Sequence, residues 1–350
     1  MRIISLEQKE EWNAVIKSFK DWDVYYLNEY AHSYFIHRDG KPLLIELSES
    51  GSRMAYVVMQ NDISDFPPFQ GILDKDTFFD WTSPYGYGGP LYEGNIDEAW
   101  MTRVGREIED YARKNHIVSE FLRYHPLLQN QKNMESISNV IYLRKTVYID
   151  TSSLERIQAN MTPNARNMAR KAEKNHIKII TDCGERYEEF MDVYNKTMQE
   201  HDADTYYYFE RTYYEYIINN MKDYLIFFYA MYDNQIISAS IFFYNDKFMH
   251  YHLSGTLPEY RKLAAANLIL TKAAFWACEH GIRQFHLGGG VDVDDSLFRF
   301  KKHFNRNGLL DYCIGSRVFL PDEYQKLVNL RKETDKNFDL QKKYLIQYRG

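Results

Sequence analysis

Residues 286–305, HLGGGVDVDDSLFRFKKHFN, combine residue types that bind an anion or stabilise a developing negative charge. Three consecutive glycines let the backbone approach a ligand closely, or turn several N–H groups towards an anion. The FRFKKHF sequence that follows places Lys301 between aromatic residues and close to Arg299, Lys302 and His303. Two interpretations stay open here, a cationic ligand site and a basic helix exposed to solvent.

A second cationic segment, NARNMARKAEKNHIK at residues 164–178, contains five Lys or Arg residues and one Glu. Helical spacing places Arg166, Arg170, Lys171 and Lys174 close to one side of a helix. Such a charge run is often a solvated helix face, which is the first interpretation. The second is contact with phosphate groups, either of a nucleotide sugar or of the end of a tRNA.

His125 is the candidate for proton transfer in the first half of the chain. It lies in FLRYHP at residues 121–126, at the end of a predicted strand and directly before a proline. A histidine titrates near neutral pH and can act as a general base. The alternative is a hydrogen-bonded structural histidine. A Gly/Tyr/Pro-rich loop, DWTSPYGYGGPLY at residues 80–92, is predicted to form turns.

The segment HYHLSGTLPEYRKLAAANL at residues 250–268 has the strand, turn and helix layout of the GNAT acyl-CoA core. In that core, a Gly-rich turn of the type R-G-x-G-x-A donates backbone N–H groups to the pyrophosphate at a helix N-terminus. Here the turn from Arg261 to Ala266 reads RKLAAA and contains no glycine, so Cβ atoms hinder a close phosphate approach. The sequence predicts the GNAT layout and weak binding of CoA.

Composition and absent motifs exclude several classes of protein. The net charge is -6, so no global basic field attracts nucleic acid. The three cysteines lie far apart, which argues against a disulfide framework and a structural zinc site. Motifs of P-loop, zincin, serine-hydrolase and Rossmann proteins are absent. Asp292, Asp294 and Asp295 lack EF-hand spacing, so no metal is predicted.

The chain carries no sequence signal for secretion or for membrane insertion. Its N-terminus, MRIISLEQKEEW, becomes charged by the seventh residue, and no window approaches 18 consecutive apolar residues. We expect a cytoplasmic protein without a transmembrane segment. The oligomeric state is unknown from the sequence.

Two stretches, residues 97–125 and 262–288, have the same layout of an amphipathic helix followed by a short strand. Antiparallel strands are predicted before each of them. This weak internal duplication favours an α/β fold of two tandem domains with mixed sheets flanked by helices. We predict a first domain of residues 1–147 plus 318–350 and a second domain of residues 148–317. The tail is assigned to the first domain because about 30 residues cannot form a core alone.

Three segments in the second half, RNMARKAEKNHIKI, YHLSGTLPEYRKLAAANLIL and HLGGG…LFRFKKHFN, resemble conserved blocks of the Fem family in the same order. The Fem proteins are aminoacyl-tRNA-dependent peptidyltransferases of the GNAT superfamily, and the resemblance covers residues 26–304. It implies two tandem GNAT-like (acyl-CoA N-acyltransferase-like) domains. It also implies transfer of an amino acid from charged tRNA to an amine of a nucleotide-sugar or lipid-linked muropeptide, with no cofactor.

The resemblance also implies roles for individual residues. The family's catalytic lysine follows an aromatic residue, and this pair matches Phe300 and Lys301. The lysine would stabilise the oxyanion that forms when the ester carbonyl is attacked. Family tyrosines that contact the nucleotide sugar match Tyr251 and Tyr207. His125 stands where the family has an acidic residue before proline, and it is our candidate base.

Three hypotheses follow. The first is a Fem-like aminoacyltransferase that forms an amide on a peptidoglycan-precursor-like or other small acceptor, with Arg166, Arg170 and Lys171 binding phosphate. The second is an acyl-CoA-dependent GNAT N-acyltransferase in cell-surface polysaccharide or natural-product assembly. The third is a binding or regulatory protein with an inactive transferase fold. The retained lysine of the FK pair argues against the third.

Overall fold

The computed structural model describes residues 1–335, 338 and 346–350. It divides into two compact units, Met1–Leu143 with Tyr312–Gly350 (unit 1) and Arg144–Asp311 (unit 2). The predicted domain boundaries at 147/148 and 317/318 fall inside two strands that contain these division points.

The helices and strands of the described residues follow in chain order. The first part contains β1 (Arg2–Ser5), α1 (Lys9–Lys17), α2 (Asn28–Ile36), β2 (Lys41–Glu49), β3 (Ser52–Asp62), β4 (Phe79–Thr82), β5 (Leu91–Glu93), α3 (Glu98–Lys114), β6 (Ile117–Arg123) and β7 (Asn139–Asp150). The second part contains α4 (Leu154–Asn160), α5 (Pro163–Lys174), β8 (Lys178–Asp182), α6 (Tyr187–Glu200), α7 (Arg211–Asn220), β9 (Leu225–Tyr232), β10 (Gln235–Tyr244), β11 (Phe248–Thr256), α8 (Ala265–Glu279), β12 (Gln284–Gly288), α9 (Ser296–Lys302), β13 (Leu309–Val318) and α10 (Pro321–Thr334).

Unit 1 is built on a mixed sheet in the order β1-β2-β3-β4-β6-β13, with β5 beside β3. The β1, β2, β3 and β4 neighbours are antiparallel, β4 and β6 are parallel, and β13 closes the sheet antiparallel to β6. Helix α3 crosses over between the two parallel strands. Its N-cap Asp97 accepts a hydrogen bond from the Trp100 backbone N–H at 2.8 Å, and its apolar side, including Val104 and Ile108, is buried.

Unit 2 repeats this arrangement in the order β8-β9-β10-β11-β12-β7. The first four strands are antiparallel neighbours, β11 and β12 are parallel, and β7 lies antiparallel to β12. Helix α8 crosses over between the parallel pair, as α3 does in unit 1. The two predicted helix–strand stretches therefore occupy matching positions, and the predicted mixed α/β fold of tandem GNAT-like domains is confirmed.

The closing strand of each unit comes from a distant part of the chain. In unit 1 it is β13, which follows the whole of unit 2 in sequence, and in unit 2 it is β7, which precedes the rest of that unit. Pairing between such distant segments leaves no local signal in the sequence.

Helices α5 and α8 pack together in unit 2, and this contact explains which residue types each helix carries on its buried side. The buried side of α5 consists of Ala165, Ala169 and Ala172, and these small side chains permit close approach of α8. Helix α8 is apolar on most of its surface because it lies between α5 and the sheet. The basic side chains of α5 are therefore left on its outer side.

The C-terminal tail is anchored to the sheet of unit 1. Arg349 Nε and Nη2 donate to the two carboxylate oxygens of Asp80 at 2.8 and 2.7 Å, and Tyr348 Oη donates to the same carboxylate at 2.9 Å. Asp80 is fully buried in β4. Residues Pro321–Thr334 of the tail form α10, and residues 336–337 and 339–345 lie outside the described residues.

Within the described part of the chain, no helix is both long and apolar enough to cross a membrane.

Candidate functional site

Lys301 is a buried amine in unit 2. It lies in the last turn of α9, and only 8% of the residue is exposed. Its Nζ donates a hydrogen bond to the backbone oxygen of Gly289 at 2.7 Å and lies 5.7 Å from the centroid of the Tyr251 ring. The lysine, the glycine segment and the tyrosine singled out in the sequence therefore meet in one place.

Burial sets the protonation of this amine. Burial lowers the pKa of Lys301 from 10.5 to about 8, while the Asp295 carboxylate raises it and the Arg144 guanidinium lowers it. At pH 7 the side chain is still mainly an ammonium ion. A cation in a site with little water stabilises a nearby oxyanion more strongly than one in bulk solvent.

The glycine segment before α9 has a defined conformation. The Asp295 carboxylate accepts hydrogen bonds from the backbone N–H groups of Val291, Asp292 and Phe298 at 2.6, 3.0 and 2.7 Å. Partial burial raises the pKa of the Asp295 carboxyl, but these N–H donors lower it further, and the result lies below its ordinary value. The carboxylate is therefore charged at neutral pH and serves as the N-cap of α9.

Tyr251 lies where two parallel strands separate. Strands β11 and β12 are paired from Phe248 with Gln284 to His250 with His286, and Tyr251 is the next residue along β11. Its ring stacks on Phe242 with centroids 5.6 Å apart, and burial raises the pKa of its hydroxyl. The pairing of β11 with β12 therefore ends at the residue before Tyr251, whose ring lies beside the amine of Lys301.

The turn before α8 departs from a phosphate-binding turn in two ways. Ala264 adopts a left-handed conformation with φ 61°, a region that favours glycine, so its Cβ projects where a glycine turn would be open. Arg261 donates to both carboxylate oxygens of Glu200 at 2.7 and 2.6 Å. The guanidinium at the start of this turn is therefore already paired with an acid.

Arg166 and its neighbours on α5 differ in their contacts. Arg166 Nη1 donates to the backbone oxygens of Gln158 and Met161 at the end of α4, so this arginine links two helices. Arg170 and Lys171 are exposed, and the former makes a 3.5 Å contact with Asn167 Oδ1. The outer side of α5 thus presents two of the three cations predicted to contact phosphate.

His125 lies in unit 1 and is fully buried. Its Nε2 is 3.2 Å from Asp23 Oδ2, and its Nδ1 accepts a hydrogen bond from the Leu128 backbone N–H at 3.3 Å. With Nδ1 as acceptor, Nε2 carries the proton and donates it to the carboxylate. Taking a substrate proton at Nδ1 requires loss of the Leu128 bond, and the role of His125 as a base stays a prediction.

The remaining two predicted residues have different surroundings. Phe300 contacts Phe304 edge-to-face with ring centroids 5.4 Å apart, which packs α9 against the core. Tyr207 is 38% exposed at the end of the 3-10 helix Thr205–Tyr207 and contacts the Tyr206 ring. Its placement leaves the phenol accessible to a ligand.

Three residues of this site were not identified from the sequence: Asp295, Arg144 and Glu200. Asp295 was considered only as a metal ligand, although an Asp directly before an apolar helix is a typical N-cap. Arg144 Nη1 donates to the Gly290 backbone oxygen at 3.1 Å, and Glu200 pairs with Arg261. These contacts join residues 146 and 61 positions apart, which local patterns do not indicate.

Comparison with known proteins agrees with this geometry. The model of the Acetyltransferase (GNAT) domain matches residues 159–302, which contain the turn before α8 and Lys301. The chain is similar to the crystal structure of FemX, with a TM-score of 0.67 and 11% sequence identity. The match covers 93% of this chain and 99% of the FemX chain. The chain has a Fem-like fold. The predicted resemblance to the Fem proteins is confirmed at this level.

Two further structures share the fold. L-PGS from Bacillus licheniformis is 9% identical, with 88% of this chain and 91% of that one covered and a TM-score of 0.54. The C-terminal domain of a putative lysylphosphatidylglycerol synthetase from Agrobacterium fabrum is 12% identical, with 89% and 91% covered and a TM-score of 0.55. No curated protein matches the chain by sequence. Residues 159–302 thus match a GNAT acetyltransferase domain, and the three solved structures share the fold of the chain.

Proposed function

We propose that this protein is a Fem-like aminoacyltransferase that uses Lys301 to stabilise the oxyanion of the transfer reaction. The observation that carries the proposal is the buried ammonium of Lys301, beside Tyr251 at the separation of β11 and β12. A buried amine without a carboxylate in hydrogen-bond contact is costly to maintain, and such costs are concentrated at functional sites.

The reaction is the aminolysis of an ester. The acceptor amine attacks the carbonyl carbon of the aminoacyl ester, the C–N bond forms, and the carbonyl oxygen becomes negatively charged. When the carbonyl re-forms, the ester C–O bond breaks and the ribose hydroxyl of the tRNA leaves with the proton lost by the amine. Lys301 contributes to the step in which the charge is on oxygen, and Phe300 holds α9 in place.

The donor we propose is an aminoacyl-tRNA, with no cofactor. The pairing of Arg261 with Glu200 and the Cβ of Ala264 disfavour a CoA pyrophosphate at the turn before α8. The exposed Arg170 and Lys171 on α5 offer cations to RNA phosphates. Such contacts position an RNA without recognising its base sequence. One of the matched structures is the C-terminal domain of a putative lysylphosphatidylglycerol synthetase, and the lysyl group in that name is an aminoacyl group.

The acceptor we propose is an amine of a peptidoglycan-precursor-like molecule, linked to a nucleotide sugar or to a lipid. Tyr251 and Tyr207 are the proposed contacts to its sugar, because a phenol combines a flat apolar face with a hydrogen-bonding end. Transfer from charged tRNA takes place where tRNA is charged, so the proposed location is the cytoplasm.

A second candidate is an acyl-CoA-dependent N-acyltransferase. The match of residues 159–302 to an acetyltransferase domain model favours it. The chemistry at Lys301 is compatible with a thioester donor as well, because the same oxyanion forms. The two candidates therefore differ in the donor and not in the role of the lysine.

A donor-consumption assay separates the two candidates. Purified protein is incubated with a mixture of charged tRNAs and, separately, with a panel of acyl-CoAs, in the presence of muropeptide amines. We expect loss of aminoacyl ester and formation of an amide, with no consumption of thioester. Consumption of an acyl-CoA alone would replace the first proposal with the second. Consumption of neither donor would contradict both.

A further inference from the structure

We propose that Asp295 is a positioning residue for Lys301, and that it acts by shaping the glycine segment whose carbonyl receives the lysine ammonium. This inference rests on the proposed function of Lys301. The Asp295 carboxylate accepts hydrogen bonds from the backbone N–H groups of Val291, Asp292 and Phe298, and it acts on the amine through them.

Asp295 orients two consecutive peptide units. The N–H groups of Val291 and Asp292 both point to Asp295 Oδ2, at 2.6 and 3.0 Å. In a planar trans peptide, the carbonyl points opposite to the N–H of the following residue. The carbonyl of Gly290 therefore points away from Asp295 when the Val291 N–H points towards it, and this direction is set by the carboxylate.

The carbonyls of this segment receive two cations. Lys301 Nζ donates to the Gly289 oxygen at 2.7 Å, and Arg144 Nη1 donates to the Gly290 oxygen at 3.1 Å. Burial is the largest cause of the lowered pKa of Lys301, and repulsion from the like charge of Arg144 lowers this pKa further. Each cation has its own carbonyl acceptor, and the two acceptors are on consecutive residues of the glycine segment.

Asp295 also sets the start of α9. Its Oδ1 accepts the Phe298 N–H at 2.7 Å, which fixes the first turn, and Lys301 is on the next turn of the same helix. One carboxylate thereby fixes the first turn of the helix that carries the ammonium and the peptide unit directly after the Gly289 carbonyl that accepts its hydrogen bond. The groups facing Lys301 are thus Asp295 at the N-cap of α9, Arg144 on β7 and Tyr251 on β11.

Gly290 makes this arrangement possible. A Cβ atom at this position would overlap the carboxylate of Asp295, so any side chain must displace it. Gly290→Ala therefore disturbs the carboxylate without removing its charge. Asp295→Asn removes the charge but leaves an accepted N-cap residue at the start of α9. Together the two variants separate the effect of the position of the Asp295 carboxylate from the effect of its charge.

The experiment compares these two variants with Asp292→Asn as the matched control, which removes an exposed carboxylate of the same loop. Turnover and KM are measured with the donor that the wild-type protein consumes, from pH 6 to 9. Labelling of Lys301 with acetic anhydride across pH, followed by mass spectrometry, measures its titration independently of activity. Thermal unfolding shows that each variant is folded.

We expect both Asp295→Asn and Gly290→Ala to lose turnover by about 10–100-fold with a smaller change in KM, since small misplacements of a catalytic group cost this much. In Asp295→Asn, Lys301 should titrate at lower pH than in the wild type, and the alkaline limb of activity should move with it, because a carboxylate that favours the ammonium is gone. Asp292→Asn should match the wild type in both measurements.

Wild-type turnover in both variants would overturn the proposal while leaving the role of Lys301 intact. If the wild-type protein consumes no donor, the proposed function fails, but the labelling profile of Lys301 still tests whether Asp295 positions this amine. An unchanged Lys301 titration in both variants would then show that Asp295 does not set the environment of the amine.

Discussion

Replacing Lys301 by methionine should stabilise the protein at neutral pH. Methionine has a similar length and carries no charge, so the change removes the desolvation of a buried ammonium. The lowering of the Lys301 pKa from 10.5 to about 8 corresponds to about 3 kcal/mol at 1.36 kcal/mol per unit. Loss of the hydrogen bond to Gly289 offsets part of this gain. We expect a net stabilisation of about 1–3 kcal/mol at pH 7.

The pH dependence gives the sign of this effect. Between pH 8 and 10.5, the unfolded chain holds a proton on Lys301 that the folded chain has lost. Stability rises with pH wherever the unfolded state binds more protons. The penalty is therefore complete below pH 8 and disappears towards pH 10.5. The wild-type protein should gain stability across this window relative to the methionine variant.

The assay is urea unfolding of both proteins at several pH values from 7 to 10.5. The difference between the two curves cancels the other groups that titrate in this range. A constant difference in unfolding free energy across the window would refute the reasoning, and so would a less stable methionine variant at pH 7. The sequence left open a basic helix exposed to solvent, and the burial of Lys301 argues against that interpretation for this side chain.

Three further predictions concern other parts of the molecule. Arg349→Ala should destabilise the protein by about 3–5 kcal/mol, because it leaves the buried Asp80 without its cationic partner. The control Arg299→Ala, which breaks an exposed ion pair, should cost at most about 1 kcal/mol. Urea unfolding followed by tryptophan fluorescence measures both, and equal effects of the two variants would contradict the prediction. Reversing the charges of Arg170 and Lys171 should weaken tRNA binding and flatten its salt dependence in filter binding, and unchanged affinity across salt would return α5 to a solvated face. His125→Ala should lower turnover in the transfer assay, and wild-type turnover in this variant would exclude His125 as the base.

Helix and strand positions were predictable wherever the pattern is local. The apolar spacing of α3 and α8, the capping residues beside them and the strands that follow are all present in the sequence, and the structure has them within a few residues. The same holds for α5, whose small buried side and basic outer side both arise from its 3.6-residue period.

The contacts that define the site join residues far apart in the chain. Lys301 and Tyr251 were singled out separately, but their proximity follows from the packing of α9 beside β11. Arg166 donates to carbonyls at the end of α4, because a helix C-terminus presents unpaired oxygens, and its contact with phosphate stays a prediction. The pairing of Asp80 with Arg349 spans 269 positions, and no local pattern specifies it.

Single-turnover transfer by the Lys301→Ala variant tests the central claim most directly. Wild-type protein, Lys301→Ala and the control Lys302→Ala, an exposed cation of the same helix, are each mixed with charged tRNA and a muropeptide amine, and amide formation is followed over time. The account predicts a loss of about 10²–10³ in rate for Lys301→Ala, the usual effect of removing one oxyanion-stabilising group, and no loss for Lys302→Ala. Amide formation by a folded Lys301→Ala protein at the wild-type rate would contradict it.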